Sequence, residues 1–500
     1  MAWLTKARFL SGLQCHKRLW FEIHQPLAES AEPSIAILQG RALDEVVQGL
    51  HPGAVISRTK GMPSAIAETK RVMAQGSRAA SLLYQAAFRA GDLAVVADVL
   101  RRRGAEFELI EVKAATEVKG THLPDAAFQA LVLQRAKIPL GRVLLGLVDN
   151  RFILRRPGDY QGLLAEVEIT ESVQEYLPEA AARALEFQGV MADESMPSIV
   201  VGPHCLSPHE CPFLTRCTAG RDTPEYPVDV LPRGGQTVAA LLAEGYRDLR
   251  DVPAKRLTDD IHRRVFDATC SGLAFFDLGA TAELRQLGSP FAYLDFETIS
   301  FSVPEVIGTR PYEQLPFQWS VHVEDSPGDV RHAEYLAIES FGDFEALADA
   351  LIAALPAEGP IFAYNANFEA GVLHRLAELL PARAAALRAV AERLFDLLPI
   401  ARAAYYHRDM RGSWSIKSVM PTIDGGLDYE HLDLVRDGDG AQRAFLELRG
   451  ARVPTERAQA LRGALLQYCR HDTWVMVVLR RFLCGEARVG GEITYGRRET

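Results

Sequence analysis

The chain has 500 residues, of which 48% are hydrophobic and 24% charged, with seven cysteines and a formal net charge of −10. This composition excludes a disordered chain and a disulfide scaffold, and it allows two or three domains with large cores. The negative balance argues against a generally basic nucleic-acid coat, although carboxylate-rich metal sites add negative charge and basic grooves are local.

The opening residues, MAWLTKARFLSGLQCHKRLWF, contain no apolar run long enough for a signal peptide or a membrane span, so a cytoplasmic protein without a membrane partner is expected. From Ala94, AVVADVL, the polar turn RRRGAE and FELIEVK predict two β-strands joined tightly. Asp98 ends the first. Glu111 and Lys113 end the second with one residue between them, so both project toward Asp98. Two acids can hold a metal ion beside which an ammonium stabilises charge on a phosphate, whereas charged strand ends alone are common. Ala/Leu-rich helices follow, and Pro, His and Cys break the pattern between Pro197 and Pro227. Cys205, Cys211 and Cys217 cluster there, while Cys270, Cys469 and Cys484 are scattered and read as ordinary buried thiols.

After a Gly234-Gly235 turn, helical spacing from Leu231 predicts a small helical connector. From Pro290, FAYLDFE reads as a strand, PFQWSVHVED alternates with period two, and PIFAYNANFEAGVLHRLAEL passes from strand to helix. Asp295 and Glu297 leave one face of their strand. Glu369 offers a third carboxylate after Asn365 and Phe368, and Asp472 offers a fourth. Tyr468 and Asp472, four apart in LRGALLQYCRHDTWVMVVLRRFL, share a helix face. Four such carboxylates can hold two hard divalent ions about 4 Å apart, Mg²⁺ or Mn²⁺, with Tyr468 orienting or helping to deprotonate a water. In YYHRDMRGSWSIKSVMP, Arg411, Trp414 and Lys417 suit contacts to a single strand, or equally a packed loop around a buried Trp.

Several of these patterns resemble known families. The order DxE, NxxF plus an acid, then YxxxD resembles the DEDD exonucleases in their tyrosine variant, since position 467 is Gln467 and not histidine; Glu369 departs from the usual aspartate. The D…ExK pattern resembles the PD-(D/E)XK nucleases of RecB type. That likeness implies a further role for Gln129 and points to Glu45, near Gly40 and Asp44, although Leu133 replaces the usual tyrosine. Cys15 with Cys205, Cys211 and Cys217 resembles the iron-sulfur staple of AddB-type and CRISPR adaptation nucleases, which implies a [4Fe-4S] cluster, with zinc as the alternative. The whole run of motifs, over nearly all the chain, resembles the bacterial family called domain of unknown function 2779.

Together these readings imply an α/β protein: a PD-(D/E)XK (restriction-endonuclease-like) domain over 1–225, a helical connector over 226–287, helix-hairpin-helix-like in its Gly-Gly turn, and an RNase H-like DEDD domain over 288–500. The expected activity is metal-dependent cleavage of DNA, single-stranded or with free ends, 3′-to-5′ in the second module. RNA is the alternative substrate. The rival readings are a nucleic-acid-binding scaffold with inactive sites and a redox sensor built on the cluster.

Overall fold

The computed structural model describes residues 2–28, 34–75, 81–220, 223–450, 452–486 and 493–495. The chain is mixed α/β and divides into two compact units, residues 1–221 with 300–313 and residues 222–299 with 314–500. No helix among the described residues is long and apolar enough to cross a membrane.

A seven-stranded sheet carries the first unit. Its strands are β1 (Leu4–Thr5), β2 (Ala54–Val55), β3 (Leu82–Ala90), β4 (Leu93–Arg103), β5 (Glu106–Lys113), β6 (Leu140–Val148) and β7 (Leu164–Glu168). They run in the order β2-β3-β4-β5-β6-β7, with β1 added parallel to β4. The predicted hairpin is β4–β5, but the ladder runs further than the sequence pattern suggested, to Arg103 opposite Glu106. Cross-strand ion pairs account for the extension: Arg101 Nε lies 2.6 Å from Glu108, and its guanidinium reaches Glu166 on β7 at 2.7 Å. Arg101 is therefore held by carboxylates along the sheet.

β5 and β6 are parallel, which requires a crossover, and the helix His122–Arg135 supplies it. Ten of this helix's fourteen residues are buried, among them His122, Asp125 and Gln129, so polar side chains are carried into the interior above β5. Its Phe128 stacks on Phe9 of the helix Lys6–Gln14 with ring centroids 4.5 Å apart, and Phe187 meets Phe9 edge-on at 5.4 Å. A Cβ on Gly12 would lie 2.8 Å from the Phe187 ring, so only glycine lets that helix pack so closely.

The second unit opens with the helices Gly235–Ala243 and Asp260–Ser271 and with β8 (Ala274–Phe276). The predicted connector thus does not stand alone: Val265, Ala268 and Phe276 share one core with Leu397, Tyr405, Trp414, Val477 and Phe482. The principal sheet contains β9 (Phe291–Ile299), β10 (Leu315–Ser326), β11 (Asp329–Leu336), β12 (Ile361–Ala363) and β13 (Leu394–Asp396), in the order β11-β10-β9-β12-β13. The first three are antiparallel neighbours, and β12 and β13 are parallel to β9. A small sheet joins β8 to β14 (Tyr405–Tyr406) and β15 (Ile493–Tyr495).

β10 is buried without interruption from Leu315 to Glu324, not on alternate residues. Both of its faces are covered: Trp319 Nε1 donates to the Leu347 carbonyl at 3.1 Å on one side, and Gln318 Nε2 donates to the Leu465 carbonyl at 2.8 Å on the other. The polar members of the alternation, Gln318, Ser320 and His322, face the long helix Thr455–Leu483. This is the helix that carries Tyr468 and Asp472.

Candidate metal centres

In the second unit, strand pairing sets Asp295 opposite Ser320 and Glu297 opposite Gln318, both of which are bonded to the long helix. The period-two geometry of β9 therefore aims both carboxylates at that helix, while Phe296 turns away. From the helix, Tyr468 and Asp472 come down one turn apart. The ligand atoms of Asp295, Glu297 and Asp472 all lie within 4.8 Å of one another, the group with metal-holding spacing among the described residues.

Glu369 enters from the helix Asn367–Leu379 that follows β12. It lies outside that trio, yet its charge acts on both Asp295 and Glu297. It is 3% exposed, and its Oε2 has no hydrogen-bond partner. An orphaned carboxylate oxygen of this kind is costly unless a cation or a proton meets it.

The electrostatics follow from crowding four acids in an apolar surround. Burial, then Asp472, raises the Glu297 carboxyl to about 8. Burial raises Glu369 to about 8, and Asp472 to about 6 against hydrogen bonds from Tyr429 and Tyr468 and the charge of Lys417. Asp295 is raised well above the usual range, by burial first and then by Asp472, Glu297 and Glu369. This is a like-charge cluster, whose burial and mutual repulsion raise its members. Tyr468 is likewise pushed upward, by burial and by Asp472.

Lys417 Nζ donates to Tyr468 Oη at 3.2 Å and to the Arg436 carbonyl at 2.7 Å, and it lies 4.9 Å from the Tyr429 ring centroid. Lys417 is thus the cation of this site. Tyr429, which no motif announced, hydrogen-bonds Asp472 Oδ1 through its hydroxyl. Cys469 Sγ contacts Asp295 Oδ2 at 3.5 Å, so this cysteine sits at the acids rather than in plain core. Cys270 is exposed, against the expectation of a buried thiol.

The remaining binding candidates part company. Trp414 is 5% exposed, with its Nε1 donating to the Tyr405 carbonyl at 2.8 Å and its ring 5.1 Å from Tyr406. It is a core residue and presents no face to a base. Arg411 adopts a left-handed φ of 47° and donates to the Glu225 carbonyl at 3.0 Å. Asn365, exposed with φ 77°, donates its backbone N–H to Asp396 Oδ1 at 2.9 Å, which shapes the turn before Glu369. Trp414→Ala is expected to lower stability by about 3–5 kcal/mol in denaturant titration. A base-stacking role would instead leave stability nearly unchanged and weaken strand binding.

In the first unit, Glu111 is the hub. Its Oε1 receives Lys113 Nζ at 2.7 Å and Lys6 Nζ at 2.6 Å, while Gln129 Nε2 donates to its Oε2 at 2.6 Å. Gln129 also bonds Asp125 at 3.0 Å, and Lys113 bonds Asp125 Oδ2. Asp98 accepts from the Val112 N–H at 3.0 Å and from Gln85 at 3.5 Å. Burial, then Glu111, raises Asp98 well above the ordinary carboxylate range; for Glu111, burial is more than offset by Lys6 and Lys113, and its carboxyl is lowered.

Two residues here, Asp125 and Lys6, were not expected from the sequence, and a third stands one position from the expected one. Asp125 stands four before Gln129 on the same helix face, a spacing that was available as a signal. Lys6 carried no signal. On the helix Ile35–Leu50, Asp44 rather than exposed Glu45 feels Glu111, Lys6 and Lys113.

The cysteines gather around the start of the chain. Cys205 and Cys211 are buried with Trp20, Phe21 and Phe213, and Cys217 packs on that cluster. Burial pushes the Cys211 thiol up, and Cys15 and Cys205 add to this. Gln14 Nε2 donates to the carbonyls of His204 at 2.9 Å and His209 at 2.6 Å, which ties the Cys15 end of its helix to the loop bearing Cys205.

Two curated relatives share part of this sequence. An uncharacterised protein of Mycoplasma pneumoniae, the MG366 homologue, is 27% identical over 218 residues, which is 40% of this chain and 33% of that protein. The uncharacterised protein MG366 of Mycoplasma genitalium is 25% identical over 210 residues, 38% of this chain and 31% of its own length. The chain thus spans about a third of the length of the curated relatives it matches. Residues 292–415, which hold β9 through Trp414, match the family described as a domain of unknown function (DUF2779), a narrower span than the near-full-length likeness expected from the motifs.

Proposed function

We propose that this chain is a metal-dependent nuclease with two phosphodiesterase sites, the second acting as a 3′-to-5′ exonuclease on single-stranded DNA. The observation that carries the reading is the meeting, at ligand spacing, of Asp295 and Glu297 from a strand with Asp472 from a helix far along the chain. In this reading the strand order β11-β10-β9-β12-β13 is that of an RNase H-like DEDD module. The β3-β4-β5-β6 core with Asp98, Glu111, Lys113 and Gln129 is a PD-(D/E)XK module.

The acids of the second site suit hard divalent ions, and Mg²⁺ or Mn²⁺ there would activate a water and stabilise the leaving oxygen of a phosphodiester. Asp295, Glu297, Asp472 and Glu369 would hold them. Tyr468, as a donor, orients the attacking water. Lys417, beside Tyr468 and Tyr429, offers charge to a phosphate oxygen. In the first site Asp98 and Glu111 would be the ligands, and Lys113 stabilises charge on the cleaved phosphate.

Cys15, Cys205, Cys211 and Cys217 would hold a [4Fe-4S] cluster that ties the start of the chain to the loop after the sheet; closely paired cysteines of the zinc type are missing from their spacing. Anaerobically purified protein is expected to carry iron and a broad visible absorption band. Zinc without iron would replace the cluster assignment.

The test is cleavage of end-labelled DNA and RNA strands in Mg²⁺ or Mn²⁺ by the unaltered chain, by Asp295→Ala and by Lys113→Ala. Each substitution is expected to remove one component of cleavage. Cleavage untouched by both refutes the assignments. A second reading, a nucleic-acid-binding scaffold, draws on Glu369 standing outside the trio, and strand binding with no metal-dependent cleavage would establish it.

A further inference from the structure

The helix Lys6–Gln14 touches both special sites of the first unit. At its first residue, Lys6 Nζ lies 2.6 Å from Glu111 Oε1 and 3.9 Å from Asp125 Oδ1. At its last, Gln14 is bonded to the carbonyls of His204 and His209, and Cys15 ends the helix with its N–H on the Ser11 carbonyl at 2.9 Å. The next helix, His16–His24, stacks Phe21 on Phe213 of the cysteine loop at 5.0 Å. Nine helical residues form a strut of about 13 Å. The strut is stiff: Phe9 lies on Phe128, and Gly12 is packed under Phe187.

The two lysines do different work. Lys113 comes from β5 itself, two residues from Glu111, so the sheet fixes it. Lys6 reaches the same oxygen across 105 positions of sequence and depends on the helix that carries it. An ammonium on Glu111 Oε1 competes with any divalent cation for that oxygen, because both use the same lone pairs.

We propose that Lys6 is a positioning residue of the first acidic site, where it holds Glu111 and moderates its affinity for a divalent cation, and that the four-cysteine site sets its place through the Lys6–Gln14 helix. The proposal rests on the reading of Asp98 and Glu111 as metal ligands. Emptying the cysteine site frees the 203–217 loop, Gln14 loses its carbonyl partners, and the strut no longer holds Lys6 on Glu111.

The experiment uses the whole chain with Asp295→Asn and Asp472→Asn in place, which silences the second site, and measures Mn²⁺ binding by electron paramagnetic resonance. Lys6→Met is expected to tighten Mn²⁺ binding about tenfold, the loss of one charge-assisted bond that the metal must otherwise displace. Lys6→Arg is expected to restore the original affinity. Cys205→Ser is expected to tighten binding similarly, to raise amide exchange over residues 7–14, and to add nothing further to Lys6→Met, since both act through one contact.

Chelator stripping and anaerobic reloading of the Lys6 chain repeats the cysteine arm without a substitution, should Cys205→Ser fail to fold. Unchanged Mn²⁺ affinity in Lys6→Met overturns the role of Lys6. A full additional shift from Cys205→Ser on top of Lys6→Met overturns the strut. Both readouts stand apart from cleavage: an uncleaved substrate would sink the nuclease reading while these Mn²⁺ shifts persist, and absent Mn²⁺ binding at the first site would sink both.

Discussion

Replacing Asp295 by asparagine is expected to cut metal-dependent degradation by the second site about a thousandfold while making the cation-free protein more stable. The first effect follows from place. Asp295 is the member of the acid trio that lies opposite Ser320 in the sheet and under Cys469 of the long helix, so its carboxylate cannot be replaced by a neighbour swinging in. Charge stabilisation by a bound cation is worth several kcal/mol in the transition state, and each 1.36 kcal/mol is a factor of ten in rate. The second effect follows from the repulsion described above. Asp295 is crowded by Asp472, Glu297 and Glu369, and asparagine removes, at nearly constant volume, a buried acid that the unfolded chain ionises freely. A rise of a few degrees in Tm is expected in EDTA, where an ordinary loss of a buried hydrogen-bonding group would lower it. Kinetics on a labelled single strand and thermal unfolding in EDTA check the pair. Full activity in the Asp295→Asn chain, or a lowered Tm without metal, would end the account of this site.

The parts of the site that were legible in sequence are those set by local geometry. Asp295 and Glu297 share a strand face because the side-chain period is two, and Tyr468 and Asp472 share a helix face because four residues make roughly one turn. Glu369 could be placed because a strand running into a helix fixes where the first helical turn points. Residues delivered by tertiary contact stayed hidden. Lys6 reaches Glu111, and Tyr429 reaches Asp472, across 105 and 43 positions, and neither has a partner at any regular spacing. Asp44 and Glu45 differ by one step of about 100° around a helix, so choosing between them needed the helix's orientation, which depends on what it packs against. The same limit explains β10. An alternating pattern suggests one wet face, but its polar members are buried against the long helix, with Ser320 Oγ and His322 Nδ1 each 2.8 Å from Thr473 Oγ1. Trp414 illustrates the opposite error: aromatic and basic residues in one loop look like a binding surface until burial shows the indole in the core.

Without divalent cations, the protein is expected to be more stable at pH 5 than at pH 8, the reverse of a fold held by paired carboxylates. Glu297 and Glu369 each titrate at about 8 in the folded chain against 4.5 when exposed. Near and below pH 4.5 both states carry the proton and the difference vanishes. Between there and pH 8 the unfolded chain ionises while the folded one stays protonated, so the unfolded state is favoured progressively and stability falls to a floor above pH 8. Asp295 and Asp98, also raised, act in the same direction, and together these acids outweigh His322 and His332, which burial lowers to about 3 and about 4 and which favour the unfolded chain toward pH 5. Glu111, lowered by its two lysines, contributes stability that is lost only below about pH 4.5, outside this window. A fall in Tm of roughly 5 °C or more from pH 5 to pH 8 in EDTA is expected. Mn²⁺ should reverse the trend, because its ligands must be ionised and each proton surrendered strengthens the site. At a hundred times its Kd a bound cation adds about 2.7 kcal/mol, so the Mn²⁺-induced rise in Tm should be large at pH 8 and small at pH 5. Glu297→Gln together with Glu369→Gln should flatten both slopes, which assigns them to this cluster and not to the first unit. A Tm in EDTA that is level across this range, or a Mn²⁺ shift equal at the two pH values, would mean that these carboxylates are neither crowded nor waiting for a cation.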